Sequence, residues 1–324
     1  MKFLFFRKGE EGARKGKGGY FLFITLCAFT FNVFLFSCSK QVTQEGLLIA
    51  VSIPPQAWFV SQIAQDKAHC LVLAGPGQNP HNYEPGPRQI QSLASARAWI
   101  LSGSEFEITL MPKAAALFPD LLIVDGTAGV EFRLLEEHNH AIDDDHAHNY
   151  AVHDEEIPFD TSLSIDRHTW LGREPAKILA AHIRDTLCLV DSSNREFYRE
   201  RCEILVSRID DEFDNLKIVL APLYGKSVFV YHPSFGYFLD EFGICQEAVE
   251  TGGKEPSARG LNTLIARINE KRPAAIFVQT QFPVNAAKTL ASSAGAQVIE
   301  LDPLAENWLE NIRYMGQVLQ KIIK

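Results

Sequence analysis

The sequence predicts an α/β fold of two similar lobes, each with a parallel-type sheet, joined by one long helix. Short apolar runs without polar alternation are typical of parallel strands that are covered on both faces. Helical periodicity alternates with these runs in two separate parts of the chain. Between the two parts, one helical pattern from about Asn194 to Leu220 predicts a helix of about 40 Å at 1.5 Å per residue.

The composition is that of a globular protein with an acidic balance. The chain has 324 residues, of which 46% are hydrophobic and 22% are charged, and this is enough for two compact lobes. Its formal net charge of −9 at pH 7 disfavours a nucleic acid as partner. We therefore expect no nucleic acid among its ligands, although the charge alone identifies no cation.

The N-terminus has the pattern of an export signal. Basic residues precede an apolar run from Tyr20 to Phe36, which is short for a membrane span. The run ends in Leu35-Phe-Ser-Cys38, which resembles a bacterial lipobox, whose Cys receives the lipid and becomes the mature N-terminus. We predict a lipoprotein signal peptide at 1–37, lipidation at Cys38, a linker at 38–45, and attachment to the membrane facing the periplasm or the cell exterior. A signal anchor that stays as a membrane helix is the alternative.

The N-terminal lobe is predicted over residues 46–190. The run from Leu47 to Ser52 is continuously apolar and predicts a buried strand, and helical spacing follows from Trp58 to Ala64. Another amphipathic stretch includes Ile90 and Leu93, and a later helix begins near Arg173. The other predicted strands are Leu71–Leu73, Ala98–Leu101 and Leu121–Val124.

Residues 136–157 interrupt this alternation with a biased segment. Five of the ten histidines in the chain lie in it among acidic residues: His138, His140, His146, His148 and His153. Such tracts bind divalent metals weakly, and the neighbouring carboxylates raise the local cation concentration. We predict an auxiliary metal-collecting loop, against the alternative of a solvated acidic loop with incidental histidines.

The linking helix is predicted within 191–222 and the C-terminal lobe over 223–324. Asp191-Ser-Ser-Asn194 offers helix N-cap residues, and Pro222 follows the last helical position. The C-terminal lobe repeats the alternation of strands and helices. Its predicted strands are 227–231, 274–278 and 297–301, and its predicted helices are 235–242, 261–269, 286–294 and 308–323.

Four residues are candidate metal ligands: His81, His168, His232 and Asp302. His232 and Asp302 follow strand-like runs, and ligands of open α/β sheets bind outside the carboxyl ends of strands. Three imidazoles and one carboxylate suit Zn²⁺, whereas Mg²⁺ and Ca²⁺ favour oxygen ligands. A closed four-ligand shell suits transport, since a hydrolytic site keeps one position open for water. Taken singly, each histidine could equally be an ordinary hydrogen-bonded side chain.

The remaining histidines and cysteines have plainer interpretations. His69 and His182 are interpreted as structural. Cys70, Cys188, Cys202 and Cys245 show no C-x-x-C spacing, so we expect no thiolate metal site. A disulfide and buried free thiols remain equal alternatives for these four cysteines.

The motifs around the candidate ligands resemble those of the zinc-type solute receptors of bacterial ABC importers, a family of lipoproteins. Pro80-His-Asn-Tyr-Glu-Pro-Gly-Pro87 is similar to the family segment that carries the first ligand, and Asp166-Arg-His-Thr-Trp-Leu171 to the segment that carries the second. Tyr231-His-Pro-Ser-Phe-Gly-Tyr-Phe238 is similar to the segment of the third, and Leu301-Asp-Pro-Leu304 to a segment that supplies a carboxylate. The resemblance covers most of residues 46–324.

The resemblance implies a rigid linking helix, a metal cleft between the lobes, and a monomer that delivers Zn²⁺ as transported ligand to an ABC permease. Manganese-type relatives carry Glu where this chain has His232, which favours zinc. Two departures stand out. Arg167 replaces the usual Pro, which we expect to be neutral, and Gln279 replaces a usual Glu, which removes a carboxylate near the cleft. Water is therefore an alternative to Asp302 as fourth ligand.

Three other functions remain as alternatives. A manganese or iron receptor of the same family would share the fold and most ligands. A zinc-dependent hydrolase would need a general base beside the metal, and the sequence lacks H-E-x-x-H or a comparable helix-borne pattern. An adhesion lipoprotein would hold zinc only incidentally. We expect the receptor and no enzyme activity.

Overall fold

The computed structural model describes residues 46–135, 165–249, 265–266, 268–271, 273, 275–282, 288, 292 and 295–322. The predicted signal peptide, Cys38 and the linker lie outside these residues, as do the five loop histidines and most of the predicted helices 261–269 and 286–294. Among the helices of the described ranges, none is long and apolar enough to cross a membrane.

Among the described residues, eight strands form two four-stranded parallel sheets. The first sheet contains β1 (Leu47–Val51), β2 (Ala68–Val72), β3 (Ala98–Leu101) and β4 (Leu122–Asp125). The second contains β5 (Ser227–Val230), β6 (Cys245–Ala248), β7 (Ala275–Gln279) and β8 (Gln297–Leu301). Their orders are β2-β1-β3-β4 and β6-β5-β7-β8, so the chain winds through both sheets in the same way. This repetition confirms the prediction of two similar α/β lobes.

Helices connect the strands, because parallel neighbours cannot be joined by a tight turn. The α-helices whose bounds lie within the described residues are α1 (Pro54–Ala64), α2 (Pro87–Ser92), α3 (Glu105–Leu117), α4 (Arg173–Val190), α5 (Arg195–Leu220), α6 (Gly236–Asp240) and α7 (Trp308–Lys321). The helix α3 and the edge strand β6 were not predicted from the sequence. Strand β2 begins three residues before the predicted Leu71.

The helix α5 is the predicted linking helix. It has 26 residues and buries one stripe at helical spacing, from Tyr198 through Leu205 and Phe213 to Leu220. The stripe packs against α1, α4 and α7, which come from both parts of the chain. A single apolar cluster consequently contains β1 residues, the α5 stripe and Trp308. The boundaries proposed at 190 and 223 stay a prediction.

Two tryptophans tie the parts together beside the ligand segments. Trp308 of α7 is fully buried and donates from Nε1 to the Trp170 carbonyl over 2.6 Å. Trp170 in turn donates from Nε1 to the Pro303 carbonyl over 2.8 Å. Because these bonds join segments about 130 residues apart, they fix the chain just after His168 against the C-terminal part.

Candidate metal centre

Three imidazoles from three separate segments meet at one point. His232 Nε2 lies 2.9 Å from His81 Nε2 and 3.3 Å from His168 Nε2. All three ligand atoms lie within 4.8 Å of one another. Zn–N bonds of about 2.0–2.1 Å in tetrahedral geometry place neighbouring nitrogens about 3.3–3.4 Å apart. The two separations from His232 Nε2 are therefore close to the spacing that a zinc ion requires.

The backbone brings these residues together in the way that parallel sheets allow. His81 follows β2, and His232 comes two residues after β5, so both lie beyond carboxyl ends of strands. His168 precedes the short 3-10 turn Thr169–Leu171 that leads into α4. His168 and His232 are buried, while the His81 side chain is 26% exposed. The centre therefore lies in a cleft that opens on the His81 side.

Carboxylates hold the opposite nitrogens of two rings. His81 Nδ1 lies 3.0 Å from Glu105 Oε2, and His168 Nδ1 lies 2.8 Å from Asp166 Oδ1. An ionised carboxylate only accepts hydrogen bonds, so Nδ1 carries a proton, and in the neutral ring Nε2 offers its lone pair to the cleft. Such carboxylate–histidine pairs orient metal ligands and raise their basicity.

Both carboxyl groups stay ionised at neutral pH. Burial raises the pKa of Glu105, but the hydrogen bond and charge of His81 outweigh it and lower the pKa to about 2. Burial also raises the pKa of Asp166, and His168 and Arg133 more than compensate, so its pKa is lowered. The pairing with His81 and His168 therefore persists over the pH range in which an imidazole binds metal.

The side chains of Gln279 and Phe282 hold His232, the first through its backbone and the second through its ring. Gln279 Oε1 accepts from the His232 backbone N–H over 3.2 Å, and its Nε2 donates to the His232 carbonyl and to Ser234 Oγ. Phe282 stacks on the imidazole with ring centroids 4.7 Å apart and planes 22° from parallel. Gln279, the departure noted in the sequence, is fully buried and fixes the backbone at the ligand.

Asp302 does not join the three histidines. Among the described residues, the only metal-type cluster is His81, His168 and His232. Asp302 Oδ1 accepts from Gln281 Nε2 over 2.7 Å and from the Leu304 N–H over 2.9 Å. Its role as fourth ligand stays a prediction, with water as the alternative.

Two charged residues line the cleft that the sequence analysis did not place there. Glu105 and Arg167 line it together with the histidines, and Arg167 Nε lies 3.8 Å from Glu105 Oε1. Arg167 also donates to the Gly103 carbonyl over 2.9 Å. Glu105 is the first residue of α3 and follows the carboxyl end of β3. Because ligands bind at the carboxyl ends of parallel strands, this position could have indicated a site residue from the sequence. The arginine that replaces proline thus places a cation in the cleft.

His69, His182 and the described cysteines are not part of this cluster. His182 Nε2 lies 2.8 Å from the Ala128 carbonyl, and His69 is part of β2. The four described cysteines are free thiols; Cys188 and Cys202 are buried, as in the alternative of buried free thiols, whereas Cys245 is exposed. The loop histidines lie outside the described residues.

Comparison with known proteins identifies the family. The family model of ZnuA, the periplasmic component A of zinc-uptake complexes, matches residues 49–322. The chain belongs to this family. The resemblance inferred from the sequence motifs is therefore confirmed, and the family consists of solute-binding receptors.

Individual ZnuA-family relatives agree with this assignment. The zinc-binding lipoprotein AdcA of Streptococcus pneumoniae is 27% identical over 286 residues, which are 87% of this chain and 54% of AdcA. The high-affinity zinc uptake system protein ZnuA of Yersinia pestis is 26% identical over 263 residues, 79% of this chain and 82% of that protein. A crystal structure of ZnuA matches with a TM-score of 0.75 at 29% identity, covering 86% of this chain and all of the other. The chain thus spans about half the length of the streptococcal relative.

Proposed function

We propose that this chain is an extracytoplasmic zinc receptor that captures Zn²⁺ with His81, His168 and His232 and delivers it to an ABC-type permease. The observation that carries the proposal is the convergence of three Nε2 atoms at spacings of 2.9 and 3.3 Å. Three lone pairs that face one point repel one another unless a cation or a proton lies between them. Family membership and relatives that are named for zinc binding and zinc uptake support the choice of cargo.

The surroundings favour a receptor over a zinc hydrolase. A hydrolase needs a general base beside the metal-bound water. The cleft offers Glu105, whose Oε2 is engaged with His81 Nδ1 and whose pKa is lowered to about 2, too low for an efficient base near neutral pH. Transport is therefore the function that the site supports best.

Zinc is favoured over manganese by the donor set. Among the described residues, the cluster is all nitrogen, and imidazole suits zinc, whereas manganese favours carboxylate and water. The preference for zinc rests on the three imidazole nitrogens that converge at the site. A manganese or iron receptor would be supported instead if either ion displaced zinc at equal concentration.

The predicted export and loop functions complete the proposal. Lipidation at Cys38 would hold the receptor at the membrane beside its permease, as the name lipoprotein of the pneumococcal relative supports. The histidines between 138 and 153 would collect zinc at low affinity. We expect the receptor to act as a monomer.

The test measures bound zinc in variants that lack the loop histidines. All five are changed to Ala in the full chain, and His81→Ala, His168→Ala and His232→Ala are added singly and as the pair 81/232. We expect one tightly bound Zn²⁺ per chain in the loop variant and in the control His182→Ala, and none in the pair. Stoichiometric, tight zinc in the 81/232 pair would refute the proposed site.

Transport is tested separately from binding. A strain that lacks the receptor gene should regain zinc-limited growth with the wild-type chain and not with the 81/232 pair. Growth restored equally by both would mean that zinc binding at the cleft is incidental, as for an adhesin.

A further inference from the structure

A largely buried arginine connects the segments that carry His168 and His232. Arg133 has a side chain that is 13% exposed. Its NH1 donates to Asp166 Oδ2 over 3.2 Å, while Asp166 Oδ1 accepts from the backbone and ring of His168. Its Nε donates to Asp240 Oδ2 over 2.6 Å. Arg133 thus joins the carboxylate behind His168 to Asp240, the last residue of α6.

The same helix makes a second connection through Tyr237. Its hydroxyl accepts from the Arg133 backbone N–H over 2.9 Å and donates to the Asp166 carbonyl over 3.0 Å. The Asp166 N–H donates to the Arg133 carbonyl over 2.8 Å. The α6 helix begins four residues after His232, so these contacts relate the His168 segment to the His232 segment.

Gly236 provides the space that the guanidinium occupies. A Cβ atom built on Gly236 would lie 2.7 Å from Arg133 Nε and closer still to Cζ and NH1. Gly236 is the first residue of α6 and its φ is not in the left-handed region, so its backbone suits alanine. Any side chain at this position would displace the far end of Arg133 and leave the helix itself intact.

We propose that Arg133 is a positioning residue for the metal centre, which keeps Asp166, and through it the His168 imidazole, in register with the half that carries His232. The inference rests on the proposed zinc function. Asp166 is fully buried, and both of its oxygens are engaged. Loss of the guanidinium leaves a buried charge with fewer donors, so the carboxylate turns and the ring of His168 turns with it.

The expected effect is a loss of zinc affinity, expressed as faster release. Changes in the groups that orient metal ligands cost about 10- to 100-fold in affinity, and we expect that range for Arg133→Ala. Arg133→Lys keeps one charge but lacks the planar fork that reaches both Asp166 and Asp240, so we expect a smaller loss of about 3- to 10-fold.

Gly236→Ala is the decisive variant, because it displaces the guanidinium while the arginine remains. It should reproduce the effect of Arg133→Ala on zinc affinity. Added to Arg133→Ala it should have no further effect, since residues that act through one contact are non-additive. Arg199→Ala, which removes an exposed α5 arginine paired with Glu196, is the matched control and should bind zinc like the wild type.

The measurements separate positioning from general destabilisation. Zinc dissociation is followed by transfer to a chromogenic chelator, and the melting temperature of each zinc-free variant is recorded beside it. The visible absorption of the Co²⁺-loaded protein reports ligand geometry, which a purely structural role would leave unchanged. If Arg133→Ala does not fold, Gly236→Ala and Arg133→Lys decide.

The outcomes distinguish this inference from the proposed function. A changed Co²⁺ spectrum and faster zinc release in both Arg133→Ala and Gly236→Ala support it. Wild-type zinc release and an unchanged spectrum in Gly236→Ala overturn it, while the zinc site stands. A wild-type chain that binds no zinc at the histidines refutes the proposed function itself.

Discussion

Removing the negative charge behind His81 should weaken zinc binding without removing a ligand. In Glu105→Gln the amide oxygen can still accept from His81 Nδ1, so the geometry is retained and only the charge is lost. The variant therefore isolates the electrostatic contribution of one carboxylate. Glu105 is the first residue of α3, where a negative charge stabilises the helix through its dipole. The substitution therefore also lowers the free energy of unfolding by about 0.3–1 kcal/mol.

The magnitude follows from the distance of the carboxylate to the ion. Adding the 3.0 Å contact, the width of the ring and a Zn–N bond of about 2 Å places the charge roughly 7 Å from the metal. The Glu105 side chain is 38% exposed, so water screens it and an effective dielectric constant of about 40–80 applies. A divalent ion and a unit charge then attract by about 1–2.5 kcal/mol, or about 5- to 60-fold in affinity.

The assay is competition between the protein and a zinc chelator of known affinity at low ionic strength. Glu196→Gln removes one exposed negative charge from the first turn of α5 and serves as the control, for which we expect wild-type affinity. Zinc affinity of Glu105→Gln within twofold of wild type would refute the argument. A loss that salt does not diminish would mean that the hydrogen bond, and not the charge, carries the effect.

Three further predictions concern charge, ligation and thiol chemistry. Arg167→Gln removes a cation from the cleft and should tighten zinc binding about 3- to 10-fold in the same competition; equal or weaker binding would contradict it. Asp302→Ala should lower zinc affinity less than any of the three histidine variants, because its Oδ1 is engaged elsewhere; a complete loss would make it an essential fourth ligand. Cys245 is exposed, whereas burial raises the pKa of the Cys70 thiol to about 12. In thiol labelling at pH 8, Cys245→Ala should therefore lose one rapidly labelled thiol, and Cys70→Ala should lose none.

The fold was largely predictable because its strands are buried on both faces. The continuous apolar run Leu47–Val51 and its counterparts mark the central strands of both sheets directly. The edge strand Cys245–Ala248 was missed because its buried residues are polar, so it lacks the apolar run that marks a buried strand. One of them, Gln246, accepts a hydrogen bond from the Phe235 N–H. The helix α3 was missed because Pro112 lies inside it and most of its residues are exposed.

The site was only partly accessible from the sequence. Position after a strand and short motifs pointed to His81, His168 and His232, and the structure brings these three together. Local patterns do not show which side chains lie behind each ring, since His81 meets Glu105 through tertiary packing. The same reason hid the place of Arg167, which looked like a neutral exchange for proline and lines the cleft.

The charged residues that line the cleft come from one half of the chain. Its two charged lining residues, Glu105 and Arg167, and two of the three imidazoles come from the N-terminal half. The C-terminal half contributes His232 with neutral support from Gln279 and Phe282. Variants that change the charge of Glu105 or Arg167 should therefore change zinc affinity and its salt dependence. Variants of Gln279 and Phe282 change no charge, so we expect them to change the release rate with little response to salt.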